Sequence, residues 1–454
     1  MIHPTNQIAI IGAGFSGLAA ARILNQAGIS FQVFEARERL GGRVYTQQIQ
    51  EDLYLDMGGQ WIGSSQTRMY ELCEEYGISY FETYNQGKSI LELKGKIKSY
   101  QGTIPKLDII SLLNLDMIVR KLERMASKID LEKPWIHPKA QLFDGQTLED
   151  FLKRNSKTET CYQVMKVGMQ TIFACELHEL SLLHTLFYIR SGNSLGALIS
   201  IKNGAQQHRI HGGMQTLAEA IAKPFFDRIQ FDSPVLSIIR EKEKFILNTS
   251  KGAQVFSHII FAVPPPLLKK IGINPPLSDQ KQKLLERYDM GCIGKCQMVY
   301  PKPFWRDQNL SGQAVSDSEF YLQTLFDSSP ADGQYGVLMG FVIGNKARKF
   351  FKMDEDSRKQ AVKKQLIQYF GEEANQEINY VDHTMNQETW SEGCYAGIRE
   401  VNSWTKYHNS YSQSEGRLHF AGTEAAIRWH GYIEGAVRAG EAAAEKILQE
   451  LNNG

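Results

Sequence analysis

The stretch QIAIIGAGFSGLAAARILNQAGISFQVFEARERLGGR, Gln7 to Arg43, decides the fold. Gln7 to Ile11 is short, apolar and β-branched, which predicts a buried strand. Gly12-x-Gly14-x-x-Gly17 then opens a helix whose apolar positions recur at Leu18, Ala21, Ile23 and Leu24. A second strand, Phe31 to Phe34, ends at Glu35, eighteen residues beyond Gly17. Each part has a physical task. Gly12 permits a tight turn, Gly14 lets backbone approach a pyrophosphate, and Gly17 lets helix and strand pack closely. The helix N-terminus offers unpaired N–H groups to an anion, and Glu35 can accept hydroxyls of a ribose. Ser16 in the turn, and Ala36 and Arg37 after the acid, belong to the same expected site. The order strand, glycines, helix, strand, acid predicts a Rossmann-type α/β dinucleotide-binding domain. An acid after the second strand, in place of a base, argues against a 2′-phosphate.

Outward from that stretch, composition bounds the rest. The chain has 454 residues, 42% hydrophobic and 22% charged, with a net charge of +1. Such a length predicts more than one domain, and so small a charge gives no reason to expect nucleic acid. The start, MIHPTNQIAIIGAG, lacks a charged segment followed by an apolar one, so no secretory leader is expected. No apolar run approaches the length of a membrane span; IIFAV, Ile259 to Val263, breaks at three prolines. Cys73, Cys161, Cys175, Cys292, Cys296 and Cys394 form no CxxC pair and no zinc spacing, which suggests reduced thiols and a cytoplasmic setting. No metal is expected.

Gly41-Gly42-Arg43 and then Gly58-Gly59-Gln60 would let backbone lie along a second extended part of the ligand, with a cation near its diphosphate. At the other end, RLHFAGTEAAIRWHGYIEGAVRAGEAAAEKIL begins as a strand, Arg417 to Ala421, and ends as a long helix. Gly422, Thr423 and Glu424 lie between them, with Gly431, Tyr432 and Ile433. These stretches resemble the FAD-containing amine oxidase family, and WSEGCYAGI with WHGY is similar to the monoamine oxidases in particular. The resemblance implies FAD bound by the residues named so far. A helix dipole at the C-terminal turn would then favour the reduced, negatively charged flavin. It implies a thioether from Cys394 to the flavin, and Tyr395 and Tyr432 as two facing phenols of an aromatic cage. Trp390 lies only four residues before Cys394, a shorter approach than the family's. In MGCIGKCQMVYPKPFW the resemblance makes Lys295, on an alternating strand-like run, the lysine that holds a water near flavin N5.

The middle of the chain, from Pro105 to Leu217, reads mostly as amphipathic helices without nucleotide glycines. Its ACELHELSLLHTLFYI and ISIKNGAQQHRIHGGMQTL segments resemble the family's, which implies a substrate cavity at Thr171, Ile172, Ile199 and Gln206, with Ile199 as a gate. Val235, on a strand after FDS, would return to the adenine. The expected architecture is two-lobed and discontinuous. Residues 1–80, 208–288 and 391–454 would form the FAD-binding domain, and 81–207 and 289–390 an α+β substrate-binding domain. Two decoys fail. His178 and His184 are six apart, about 240° around a helix, and share no face for zinc. Gly192 to Gly196 fits a nucleophile elbow around Ser194, but follows a helix where a strand is needed.

The resemblance implies oxidative deamination of a primary or secondary amine by hydride transfer to flavin N5, giving aldehyde, ammonia and hydrogen peroxide. Its partners would be a small amine and O2, with no nucleic acid and no membrane anchor; a homodimer is an admitted assembly. Polyamine and L-amino-acid oxidases share the fold. An amino-acid oxidase would want an arginine near Gln60 and Trp61, whereas Arg68 comes several residues later. A dehydrogenase or desaturase acting on C–C bonds, and a flavoprotein that is not an enzyme, are the rivals from other classes.

Overall fold

The computed structural model describes residues 7–102, 107–408 and 411–453. Pro105 and Gly454, which mark expected boundaries, lie outside the described residues. The protein is α/β. Ile8–Ile11, buried at every position, is the central strand of a five-stranded sheet. Phe31–Phe34 and His258–Phe261 flank it, Ile229–Gln230 and Leu418–Phe420 form the edges, and every pair is parallel. A strand apolar at successive positions has no solvent face, so a parallel sheet covered on both sides is its natural place. The C-terminal strand is one residue shorter at each end than the sequence suggests.

Gly12, at φ +101°, turns the chain from the first strand into the helix Phe15–Gln26. Gly17 does not line the ligand cavity. A Cβ there would collide with the carbonyl oxygen of Gly12, so its task is the close packing of helix on turn. The C-terminal helix, Ile433–Asn453, lies against this first helix, and Val437, Ala444 and Ile447 share a core with Leu18, Ala21 and Leu24. Gly440 sits at the crossing, where a Cβ would overlap the carbonyl oxygen of Ser16. Ser16 completes the junction by accepting a hydrogen bond from the Gly422 N–H at 2.8 Å.

A second, seven-stranded sheet is built from 88–93, 96–100, 293–300, 310–316, 324–327, 336–343 and 379–384. Its strand Ile293–Tyr300 carries Lys295, opposite Phe341 on one side and His383 on the other. All eight residues of this strand are buried. The alternation expected from its sequence is therefore absent, because both faces of the sheet are covered here.

Helices fill the middle of the chain, among them Ile109–Ala126, Glu159–Phe173, Leu182–Ser191 and Leu195–Ile199. Asp108, Thr158, Ser181 and Ser194 cap their N-termini through side-chain oxygens, the local signal that starts each one. Ser194 is thus a cap. His184 is buried and accepts from Trp404 Nε1 at 3.3 Å. Among the described residues no helix is long and apolar enough to cross a membrane.

The Gly440 crossing predicts the effect of one methyl group. Gly440→Ala should destabilise the protein by about 1–3 kcal/mol or more, as overpacking against fixed backbone does, read as a lower urea midpoint.

Candidate active site

A cavity of about 2020 Å³ is bounded by the C-terminal ends of the parallel strands, by Lys295, Phe326 and Phe341 of the second sheet, and by the helical middle. Every site residue expected from sequence lines it, except Gly17. Residues from Gly12 to Ile433 are thereby brought to one wall-to-wall space.

The nucleotide end is made of backbone and one acid. Glu35 is buried; its Oε2 accepts from the Ala13 N–H at 2.7 Å and its Oε1 from the Arg37 N–H at 2.9 Å. These bonds pin the carboxylate against the turn and leave it lone pairs for the cavity. Gly14 and Gly42 approach so closely that a Cβ on Gly42 would stand 3.2 Å from the Gly14 Cα. Arg37 lines the cavity but spends its guanidinium on Glu388, at 2.6 Å, and on Ser391 Oγ.

Arg43 departs from expectation. Its Nη1 donates to Glu424 Oε1 at 2.6 Å and to the Tyr395 carbonyl at 2.8 Å, and its Nη2 donates to Glu424 Oε2 at 3.1 Å. The cation expected beside a diphosphate is therefore compensated by an acid, and it fixes the backbone of a phenol. Burial alone would raise the Glu424 carboxyl, but Arg43 outweighs it and the group ends below the usual range. Glu424 stood in the Gly-Thr-Glu motif, yet its partner could not be read from sequence. Thr423 is likewise committed: it accepts from the Gly431 N–H at 2.8 Å and donates to the Tyr432 carbonyl at 2.9 Å.

Tyr395 and Tyr432 both line the cavity. Tyr395 meets Phe341 edge-on, with centroids 6.0 Å apart, and Tyr432 meets Trp429 at 4.9 Å and Tyr188 at 5.9 Å. The Cys394–Tyr395 peptide is cis. Burial pushes both phenols well above their ordinary range, so each stays a neutral O–H donor. Burial also pushes the Cys394 thiol up to about 11, against the pull of Arg43 and Lys295.

Lys295 is 5% exposed. Its Nζ donates to the Asp56 carbonyl at 2.8 Å, to the Gly58 carbonyl at 2.7 Å and to Gln60 Oε1. An ammonium has three donors, and these three acceptors hold it in place at the cavity wall. Burial lowers it to about 7, with Asp56 opposing.

The substrate end is apolar. Trp61 packs on Phe326 at 5.1 Å and Phe341 at 6.1 Å, rings that sequence reading missed because nothing local marks them. Ile172 is buried, Thr171 turns its hydroxyl back to the Val167 carbonyl, and Gln206 Oε1 is buried without a partner. Ile199 is 47% exposed, on the outer rim.

The sequence pattern of the flavin containing amine oxidoreductases matches residues 15–448. The chain belongs to the flavin-containing amine oxidase family. AofH of Mycobacterium tuberculosis, which bears the name flavin-containing monoamine oxidase, is 35% identical over 448 residues, 98% of this chain and 97% of its own. Cyclohexylamine oxidase from Brevibacterium oxydans IH-35A superposes with a TM-score of 0.95 at 27% identity, over 99% of this chain and all of the other. A putrescine oxidase triple variant, from a redesign of cofactor binding, gives 0.94 at 29% over 98% of this chain and 100% of its own. The protein is a flavin amine oxidase, and the family implies FAD, an amine and O2.

The residues present fit that cofactor. The glycine-walled turn would take a diphosphate beside the first helix N-terminus, and the buried Glu35 would accept the hydroxyls of a ribose. Gln60 Nε2 is buried with no partner beside Lys295, a donor waiting for an acceptor.

The Arg43–Glu424 pair can be measured. Glu424→Ala leaves a buried guanidinium uncompensated and should cost about 3–5 kcal/mol. Arg43→Ala with Glu424→Ala should cost less than the sum of the single changes, read by thermal unfolding of all four proteins.

Proposed function

We propose that the protein oxidises primary or secondary monoamines with FAD as acceptor, giving an aldehyde, ammonia or an amine, and hydrogen peroxide. The observation that carries this reading is the meeting of Tyr395, Tyr432 and Lys295 on one apolar cavity. In this reading segments 1–80, 208–288 and 391–454 hold the cofactor, and 81–207 with 289–390 hold the substrate.

When bound, FAD supplies a two-electron acceptor that O2 can reoxidise. The chain's own residues prepare the amine. Apolar walls of Trp61, Phe326, Phe341 and Ile172 penalise an ammonium and favour the neutral amine, whose lone pair must stabilise the developing iminium. The two phenols are neutral donors and offer no anion to hold the amine charged. Thr423 and Arg43 fix the backbone behind each ring, so the gap between the rings is preset.

Substrate class follows from charge. Glu35 and Asp116 are the carboxylates that line the cavity; Glu35 is at the nucleotide end, and Asp116 is an exposed residue paired with Arg120 at 2.8 Å. A diamine's second ammonium therefore finds no buried partner among the described lining residues, which favours monoamines even though a structural relative is a putrescine oxidase. An amino acid's carboxylate fares no better with arginine. Arg37 and Arg43 are already paired, and Arg68 is bound to Glu71 and Glu441.

Benzylamine or phenethylamine should release peroxide faster than putrescine does. With one amine, the rate should climb from about pH 6 to about pH 9 as bound ammonium loses its proton, with no fall from phenol ionisation, since both phenols are raised. Lys295, lowered to about 7, loses its charge over the same range. A rate that drops above neutrality would mean that this charge, and not the amine lone pair, limits turnover, and would count against the reading.

Cys394 is the proposed attachment point of the flavin. It lines the cavity beside Tyr395, and the putrescine oxidase variant of redesigned cofactor binding carries an alanine-to-cysteine exchange. Acid precipitation should leave the yellow colour in the pellet for the native protein and in the supernatant for Cys394→Ala. Colour in the supernatant for both would end the covalent reading alone.

A further inference from the structure

We propose that His258, His419 and Glu450 form a binding site for a divalent transition-metal ion of the zinc class, separate from the active-site cavity. None of the three lines that cavity. His258 opens its strand, at the end opposite the cavity, and His419 lies on the neighbouring edge strand paired with Ile260. Two residues along a strand restore the same face, so both imidazoles project to one side, stacked with centroids 6.0 Å apart. Glu450, from the last turns of the C-terminal helix, covers them.

The three ligand atoms lie close to the spacing that a tetrahedral site needs. Glu450 Oε2 stands 3.7 Å from His258 Nε2 and 3.4 Å from His419 Nε2, and all three ligand atoms lie within 4.8 Å of one another. Bonds of about 2.0–2.1 Å to a tetrahedral zinc give ligand–ligand edges of about 3.3 Å. Small side-chain shifts would close the site.

Hydrogen bonding behind the ligands orients them. Ser257 Oγ stands 3.2 Å from the Gln7 carbonyl and 2.9 Å from His258 Nδ1, and when its hydrogen goes to Gln7 it can accept from Nδ1–H. With its Nδ1–H given to Ser257, His258 would present its Nε2 lone pair toward the Glu450 carboxylate. Metal-bound histidines are held in this way, the second ring nitrogen donating to a neighbour. His419 Nδ1 contacts Ser414 Oγ at 3.1 Å, and its Nε2 is buried without a hydrogen-bond partner on a residue 1% exposed. Two imidazole nitrogens and a carboxylate oxygen thus converge, and a cation among them would supply the partner that the buried His419 Nε2 lacks.

Two neighbours oppose that cation. Arg417 bears on His258 and Lys446 on His419, although Arg417 is itself paired with Glu243 at 3.0 Å and Lys446 donates to Ser414. Glu450, 36% exposed, opens one side for ion entry and for a water as fourth ligand. A bound ion would tie the end of the C-terminal helix to two strands of the sheet.

The test uses the purified protein as isolated, treated with chelator and then titrated with zinc chloride by calorimetry and by thermal unfolding. One equivalent should bind and raise the Tm of the native protein. Glu450→Gln, at a half-exposed position that leaves the flavin spectrum intact, should weaken binding about tenfold or more and abolish the Tm rise. His419→Asn should do the same. Equal zinc binding by native protein and Glu450→Gln, or no uptake by the native protein, would overturn the proposal.

Discussion

The contact between the first helix and the last one governs the rest of the structure. Backbone meets backbone at Ser16 and Gly440, close enough that no side chain fits at 440. Because that crossing is fixed, the segment before the last helix must fold back over the C-terminal ends of the parallel strands. The Ser16–Gly422 hydrogen bond closes the same joint. Residues more than 400 positions apart thus share one wall, and Tyr432 and Ile433 are delivered to a cavity that Gly12 begins. A helix that stood even slightly further off would leave the turn at Gly422–Tyr432 without a floor.

On that frame, charge is managed by pairing at the walls so that the interior stays neutral. Arg43 is compensated by Glu424, Arg37 by Glu388, and Lys295 is surrounded by carbonyl oxygens and lowered by burial. Each pair would be expensive to bury alone, since desolvation costs several kcal/mol per ion. Together they leave phenol hydroxyls, a thiol and amide groups as the polar atoms of the inner wall. In the proposed function such a chamber would favour the neutral amine, the form whose lone pair can stabilise an iminium.

The legible parts of the sequence were those in which a local pattern has a local cause. Gly12, Gly14 and Glu35 could be read because a tight turn, a close backbone approach and a carboxylate that pins the turn each demand one residue type at one spacing. Ser181 and Thr158 mark helix starts for the same reason. Lys295 was found through its motif, but its strand gave the wrong pattern: burial on both faces erases the alternation that would have shown which way the side chain points. Arg43 lines the cavity, but its ion-pair partner cannot be read locally, because Glu424 lies 381 positions away. Phe326, Phe341 and Tyr188 carried no signal, since an aromatic residue in a strand or helix is usually core. His258, His419 and Glu450 are invisible as a set, for they meet only once two parallel strands and a helix end are assembled.

Lys295 shows how function and stability compete for one side chain. A buried lysine with three carbonyl partners is well satisfied as an ammonium, yet desolvation still lowers it to about 7. Its acceptors are two main-chain carbonyls, which are held by the fold, and one side-chain amide, which is not. Gln60 is therefore the movable member, and its own Nε2 is the buried donor without a partner. Any group that enters beside Lys295 and accepts from Gln60 Nε2 also holds Gln60 Oε1 on the ammonium, so the two interactions strengthen together. Filling the cavity should lock the amide, and with it one of the lysine's three acceptors. The unpartnered amide and the buried lysine are one feature, and an acceptor that meets Gln60 Nε2 would complete both.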